Sequence, residues 1–110
     1  MINIKDFSKL DIRVGTIIKA EQLKNANKPA YHLEIDFGKL GIKSSSAQIT
    51  DLYTATEIIG RQIIAVVNFP PKRIAGIISE VLVMGANSDD DEEVVLLEPD
   101  KNIPNGSKVG

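Results

Sequence analysis

Apolar and polar positions alternate along much of this chain with a period of two, the repeat of a strand that buries one face. Ile12, Val14, Thr16, Ile18 and Ala20 alternate with polar or small neighbours. Tyr31, Leu33, Ile35 and Phe37 do the same against His32, Glu34 and Asp36. The stretch from Ile42 to Ile49, hydroxyl-rich at its centre, predicts a third strand. Gln62–Phe69 and Glu80–Met84 predict two more, joined through Pro70-Pro71, whose nitrogens cannot donate to a ladder. Val94–Leu97 predicts a last strand, and Asp6–Leu10 a short helical turn. Asp51–Ile59 is the one plausible helix, with Thr54 and Glu57 at capping-box spacing and Gly60 as its stop. Asn25–Pro29 is a turn cluster. Pro99, Pro104 and Gly106 predict an ordered extended tail rather than another element.

Short strands with a single short helix between the third and fourth predict an all-β fold, the five-stranded Greek-key barrel of the OB-fold. At 110 residues the chain is expected to form one domain, able to bury roughly 65% of its unfolded surface. The absence of cysteine removes disulfides, thiolate metal sites and cysteine nucleophiles. No apolar stretch approaches the ~20 residues of a membrane-spanning helix, and the opening MINIKDFSKL lacks the apolar core of a signal peptide. A cytoplasmic protein is expected.

Net charge is -2, a figure that hides an uneven distribution. Residues 1–85 carry 11 Lys+Arg against 8 Asp+Glu, a balance of +3, whereas residues 86–110 carry 2 against 7, a balance of -5. A mildly basic body supports modest, salt-sensitive binding of a polyanion. The stretch VVNFPPKRIAG at Val66–Gly76 is the most suggestive: an apolar run is broken by two prolines, and Lys72 and Arg73 follow at once, beside Phe69. Such an arrangement suits recognition of a polyanion better than it suits catalysis.

The blocks FSKLDIRVGTIIKAE (Phe7–Glu21), IDFGKLGIKSSSAQIT (Ile35–Thr50), IAVVNFPPKRIAG (Ile64–Gly76), SEVLVMG (Ser79–Gly85) and the ending VVLLEPDKNIPNGSKVG span nearly the whole chain. The first resembles the opening of the tRNA-binding domain family, the OB-fold modules appended to some aminoacyl-tRNA synthetases. The others more closely resemble the free-standing CsaA family of export-related chaperones. The resemblance implies an OB-fold, terminal extensions used in homodimerisation, binding of tRNA or tRNA-like RNA, and a peptide-binding site near the dimer interface. The acidic run Asp89–Glu93 departs from that pattern.

OB-folds bind single strands or loops by pairing a basic groove with stacking platforms. Aromatics make up only 5% of this chain, with no tryptophan, so phosphate contacts are expected to dominate. The RNA-binding candidates are Arg13, Lys43, Lys72 and Arg73 as cations, with Ser44, Ser45, Ser46 and Gln48 as neutral donors. Each has a plain structural alternative. Lys72 and Arg73 can simply solubilise a turn, the serines can satisfy local backbone groups, and Arg13 can pair with Asp11 or Glu34. For the peptide site the candidates are Asn68, Phe69 and Ser79, although Phe69 also reads as core or interface.

His32 is the sole histidine and has no cysteine or second histidine to share a metal with. The acidic run lacks EF-hand spacing and reads as a solvated loop. No nucleophile elbow, phosphate-cradling loop or spaced carboxylate pair is present, so neither enzyme activity, metal nor cofactor is expected. Val94-Val95-Leu96-Leu97 is apolar on both faces and must be sandwiched, which predicts a homodimer built from this region and the chain start. Two functions are expected: an RNA-binding module of the CsaA type that also serves as an export chaperone, or a chaperone for unfolded or exported polypeptides whose RNA binding is incidental.

Overall fold

A computed structural model describes every residue except positions 91 and 92. Its main sheet is built on β1 (Ile12–Gln22), β2 (Tyr31–Asp36), β3 (Ile42–Ala47), β4 (Gln62–Val66) and β7 (Leu82–Val83), in the order β3-β2-β1-β4-β7. All pairings are antiparallel. β1 is long enough to serve two partners: Ile12–Thr16 pairs with β4 and Thr16–Gln22 with β2. The register shifts between Ile17 and Lys19. A bulge there bends the strand and increases its twist, which is how one strand can turn the corner of a barrel.

The sheet closes on itself at β3. Glu80 N–H donates to Ser44 O at 2.8 Å, and Ser45 Oγ donates to Val81 O at 2.8 Å. The result is the nearly closed all-β barrel of the OB-fold. Its helices are short: α1 (Ile4–Ser8), capped by Asn3, and α2 (Ala55–Ile58), between β3 and β4. Thr54 and Glu57 do form a reciprocal capping box. The helix is shorter than the predicted 51–59 span because Asp51 and Leu52 lie in a turn and Ile59 is already extended.

Ile17, Leu33, Ile35, Phe37, Ile58 and Ile63 are fully buried and form the centre of the core. Each contributes roughly 1.5–3 kcal/mol of burial. Gly15 is part of the same packing, since a Cβ there would lie 2.7 Å from Ile35 Cγ2 and from two Phe37 ring carbons. No helix of the described residues is long and apolar enough to cross a membrane.

Two predictions about connections are corrected, and one strand is added. The segments flanking Pro70-Pro71 are not joined directly: a hairpin of β5 (Lys72–Ile74) and β6 (Ile77–Ser79) stands between them as its own two-stranded sheet. Its strands are three residues each, too short to show a period. The added strand is β8 (Gly85–Asn87), which pairs with β9 (Val94–Leu96); the acidic run Asp89–Glu93 read as a loop follows β8, with its centre outside the described residues. The tail is a strand after all. β10 (Lys108–Val109) pairs with Ile12 and Arg13, taking the edge of β1 that β2 leaves open. Thr16 Oγ1 donates to Asn105 Oδ1 at 2.8 Å and Gln62 Nε2 to Ile103 O at 2.6 Å, which fixes the approach to β10.

Candidate nucleic-acid interface

The cations proposed from sequence do not form one cluster. Arg13 is half-buried and already committed: its Nε donates to Asp11 Oδ1 at 2.6 Å and its Nη1 to Gly106 O at 3.0 Å. Its guanidinium therefore joins the residue before β1 to the segment that leads into β10. Lys43 lies opposite Ile35 in the ladder, on the side of β3 shared with Ser45 and Ala47, and is half-buried rather than beside Ser44 and Ser46.

The triple serine divides by the alternation of a strand. Ser45 is 0% exposed and spends its hydroxyl on Val81, so it is removed from any contact with a polymer. Ser44 N–H donates to Glu80 Oε2 at 2.8 Å, and its Oγ lies 3.3 Å from His32 Nε2. Glu34 is its cross-strand partner. Two carboxylates beside Ser44 make that part of the sheet face unwelcoming to phosphate. Ser46 is half-buried, its N–H held by Ser79 Oγ at 3.2 Å, and Gln48 is exposed beyond the strand end.

Lys72 and Arg73 are both exposed, and neither is in an ion pair among the described residues; the pairs there are Lys9–Asp6, Arg13–Asp11 and Lys19–Glu21. Adjacent residues of a strand point to opposite faces. Lys72 is registered with Ser79, and Ile74 with Ile77, on one face of the hairpin; Arg73 is registered with Ile78 on the other. The Lys72 face is the one that meets β3 through Ser79. The two cations thus flank the hairpin rather than forming a single patch.

A groove of about 380 Å³ runs between the Asn25–Pro29 loop, the end of β3 and the hairpin tip. Ser46, Gln48, Asn27, Lys28, Ile74 and Ala75 are among the residues that line it, and no carboxylate does. A second hollow of about 780 Å³ shares Lys28 and Gln48 with it but includes Asp51 and Asp90. Sequence reasoning found Ser46 and Gln48, and missed Lys28 and the asparagines because that stretch was read only as a turn. The amide-rich run NANKP was the signal available.

The hairpin tip is unusual. Ala75 has φ +49° and Gly76 φ +87°, two positive values in a two-residue loop between β5 and β6. Such a loop favours Asn-Gly. Alanine in the left-handed region costs roughly 1–2 kcal/mol.

The peptide candidates are tied to separate elements. Asn68 Oδ1 accepts from Asp11 N–H at 2.9 Å and its Nδ2 donates to Lys9 O at 2.8 Å, while Ser79 belongs to the seam with Ser46. Phe69 is 46% exposed, which corrects its reading as a core residue. Among the described residues no group of His, Cys, Asp and Glu is arranged to hold a metal ion.

Residues 12–108 match the family described as "Putative tRNA binding domain". Methionine–tRNA ligase of Pyrococcus horikoshii is 37% identical over 98% of this chain, and that of Nanoarchaeum equitans is 38% identical over 99%. The chain spans only 14% of the length of each ligase. The solved structure of chaperone CsaA from Bacillus anthracis is 55% identical, with a TM-score of 0.94, covering 100% of this chain and 99% of that one. The CsaA chaperone protein from Picrophilus torridus is also 55% identical, with a TM-score of 0.92 and full coverage of both chains. From its barrel, its closing seam and these whole-length likenesses, the chain belongs to the tRNA-binding domain family and is of the CsaA type.

Proposed function

We propose that this protein binds tRNA or tRNA-like RNA in the cytoplasm through phosphate contacts made by Lys72, Arg73 and Lys28, with Ser46 and Gln48 as neutral donors. The observation that carries the reading is the exposure of Lys72 and Arg73 on a separate hairpin, free of ion pairs among the described residues. The methionine–tRNA ligases share this domain but extend far beyond it, so their ligation chemistry is not carried over. Binding is electrostatic, and the logarithm of affinity falls with the logarithm of salt concentration. The double variant Lys72→Ala/Arg73→Ala lowers that slope by roughly 1–2, the larger part from Lys72. An unchanged slope, measured by filter binding of tRNA across a salt series, removes the assignment.

The protein is also proposed to be a homodimer. β9 turns Val94 and Leu96 toward the core and leaves Val95 and Leu97 outward, 51% and 36% exposed. An apolar outer face of this kind is what a second copy covers. Val95→Lys/Leu97→Lys gives a monomer in sedimentation; a wild type that sediments as a monomer at micromolar concentration removes this part.

A second reading is a chaperone for unfolded or exported polypeptides, as the CsaA relatives are named. Exposed Phe69 beside Pro70-Pro71 favours it, by offering an apolar contact to an extended segment. Its signature is suppression of client aggregation that is insensitive to Lys72→Ala/Arg73→Ala and lost in Phe69→Ala.

A further inference from the structure

We infer that the groove beside the hairpin tip receives one unpaired nucleobase of the bound RNA, and that Ala75 sets its size. This rests on the RNA-binding reading and names which part of the RNA the site takes. Its volume of about 380 Å³ lies in the range of small-ligand clefts, about 300–1,000 Å³. Asn27 and Gln48 line it with carboxamides, each offering a donor and an acceptor side by side. That is the complement of a base edge. Ile74 and Ala75 supply apolar surface for a ring face, and Lys28 supplies a cation for the attached phosphate. The carboxylates Asp51 and Asp90 belong to the adjoining hollow and not to this one. The base has to be unpaired, because side chains cannot reach base edges in the deep major groove of an A-form duplex.

Ala75 is the informative residue. At φ +49° before Gly76, the turn favours asparagine, yet an alanine stands there. Its side chain lines the groove. An asparagine relaxes the backbone but extends into the space, so the strained alanine keeps the groove open.

The test compares a single-stranded adenosine-rich oligoribonucleotide with the duplex it forms with its complement. Wild type binds the single strand more tightly. Ala75→Asn raises Tm by roughly 4 °C, weakens single-strand binding about tenfold and leaves duplex binding unchanged. Ala75→Gly, which relaxes the backbone but adds nothing to the groove, weakens single-strand binding far less than Ala75→Asn does, and Gln48→Ala loses several-fold on the single strand alone. The inference is overturned if Ala75→Asn binds the single strand like wild type, or weakens both probes equally. If wild type shows no salt-dependent binding of either probe, it is the RNA-binding reading that fails. If salt-dependent binding persists and the groove variants change nothing, only the base site fails.

Discussion

Glu80 grips Ser44 twice: its backbone N–H donates to Ser44 O at 2.8 Å, and its carboxylate Oε2 accepts from Ser44 N–H at 2.8 Å. One residue thereby supplies both partners that a neighbouring strand would give to β3 at that point. The exposed backbone of an otherwise open edge is satisfied, and the barrel closes without a long fifth strand beside β3.

Replacing that carboxylate tests the closure. Glu80→Ala lowers unfolding free energy by about 1.5–3 kcal/mol, the range for a hydrogen bond to a charged group. Glu80→Gln, which keeps an acceptor oxygen, loses less. Urea denaturation monitored by circular dichroism reads both, and equal midpoints for Glu80→Ala and wild type contradict the role.

Gly15 sits against Ile35 and Phe37 with no room for a methyl group. Gly15→Ala overpacks the core and destabilises by about 1–3 kcal/mol. Thermal unfolding that leaves Tm unchanged shows that the neighbouring rings yield freely.

Arg13 separates folding from binding. Arg13→Ala breaks the contacts to Asp11 and Gly106 and costs about 1–2 kcal/mol of stability. The salt dependence of tRNA binding stays as in wild type. A slope reduced by about one instead makes this arginine a phosphate ligand.

Lys72 and Arg73 are unequal by strand geometry. Lys72 shares its face with Ile74 and Ser79, next to the groove, and Arg73 does not. Lys72→Ala weakens tRNA binding about fivefold, equivalent to roughly 1 kcal/mol, and Arg73→Ala weakens it less. Equal losses from the two single variants argue that RNA straddles the hairpin rather than lying along one side.

The main barrel was legible where a strand keeps one register, and not at the bulge of β1. There the expected inward set of Ile12, Val14, Thr16, Ile18 and Ala20 fails, because Ile17 is buried and Ile18 is 41% exposed. β2 carries the alternation of Tyr31, Leu33 and Ile35 against His32, Glu34 and Asp36, and the structure buries the first three. The capping box at Thr54 was legible because it depends on two residues at fixed spacing. The β5–β6 hairpin was not, because three-residue strands present too few positions for a pattern and its turn uses Ala-Gly instead of Asn-Gly. β10 was hidden for another reason: two residues pair only because β1 has a vacant edge, a fact of topology. The site was read in composition but not in facing. Ser44, Ser45 and Ser46 look equivalent in sequence, and a period-two backbone buries Ser45 and leaves the other two half-exposed.

Since the β5–β6 hairpin is hydrogen-bonded as a ladder of its own, the stretch carrying Lys72, Arg73, Ile74 and Ala75 is free to vary without re-registering a barrel strand. Ser79 and Glu80 fasten its far end to β3 through hydrogen bonds to Ser46 and Ser44. Descendants of this chain can therefore rewrite a handful of codons at the hairpin tip while inheriting an intact barrel scaffold.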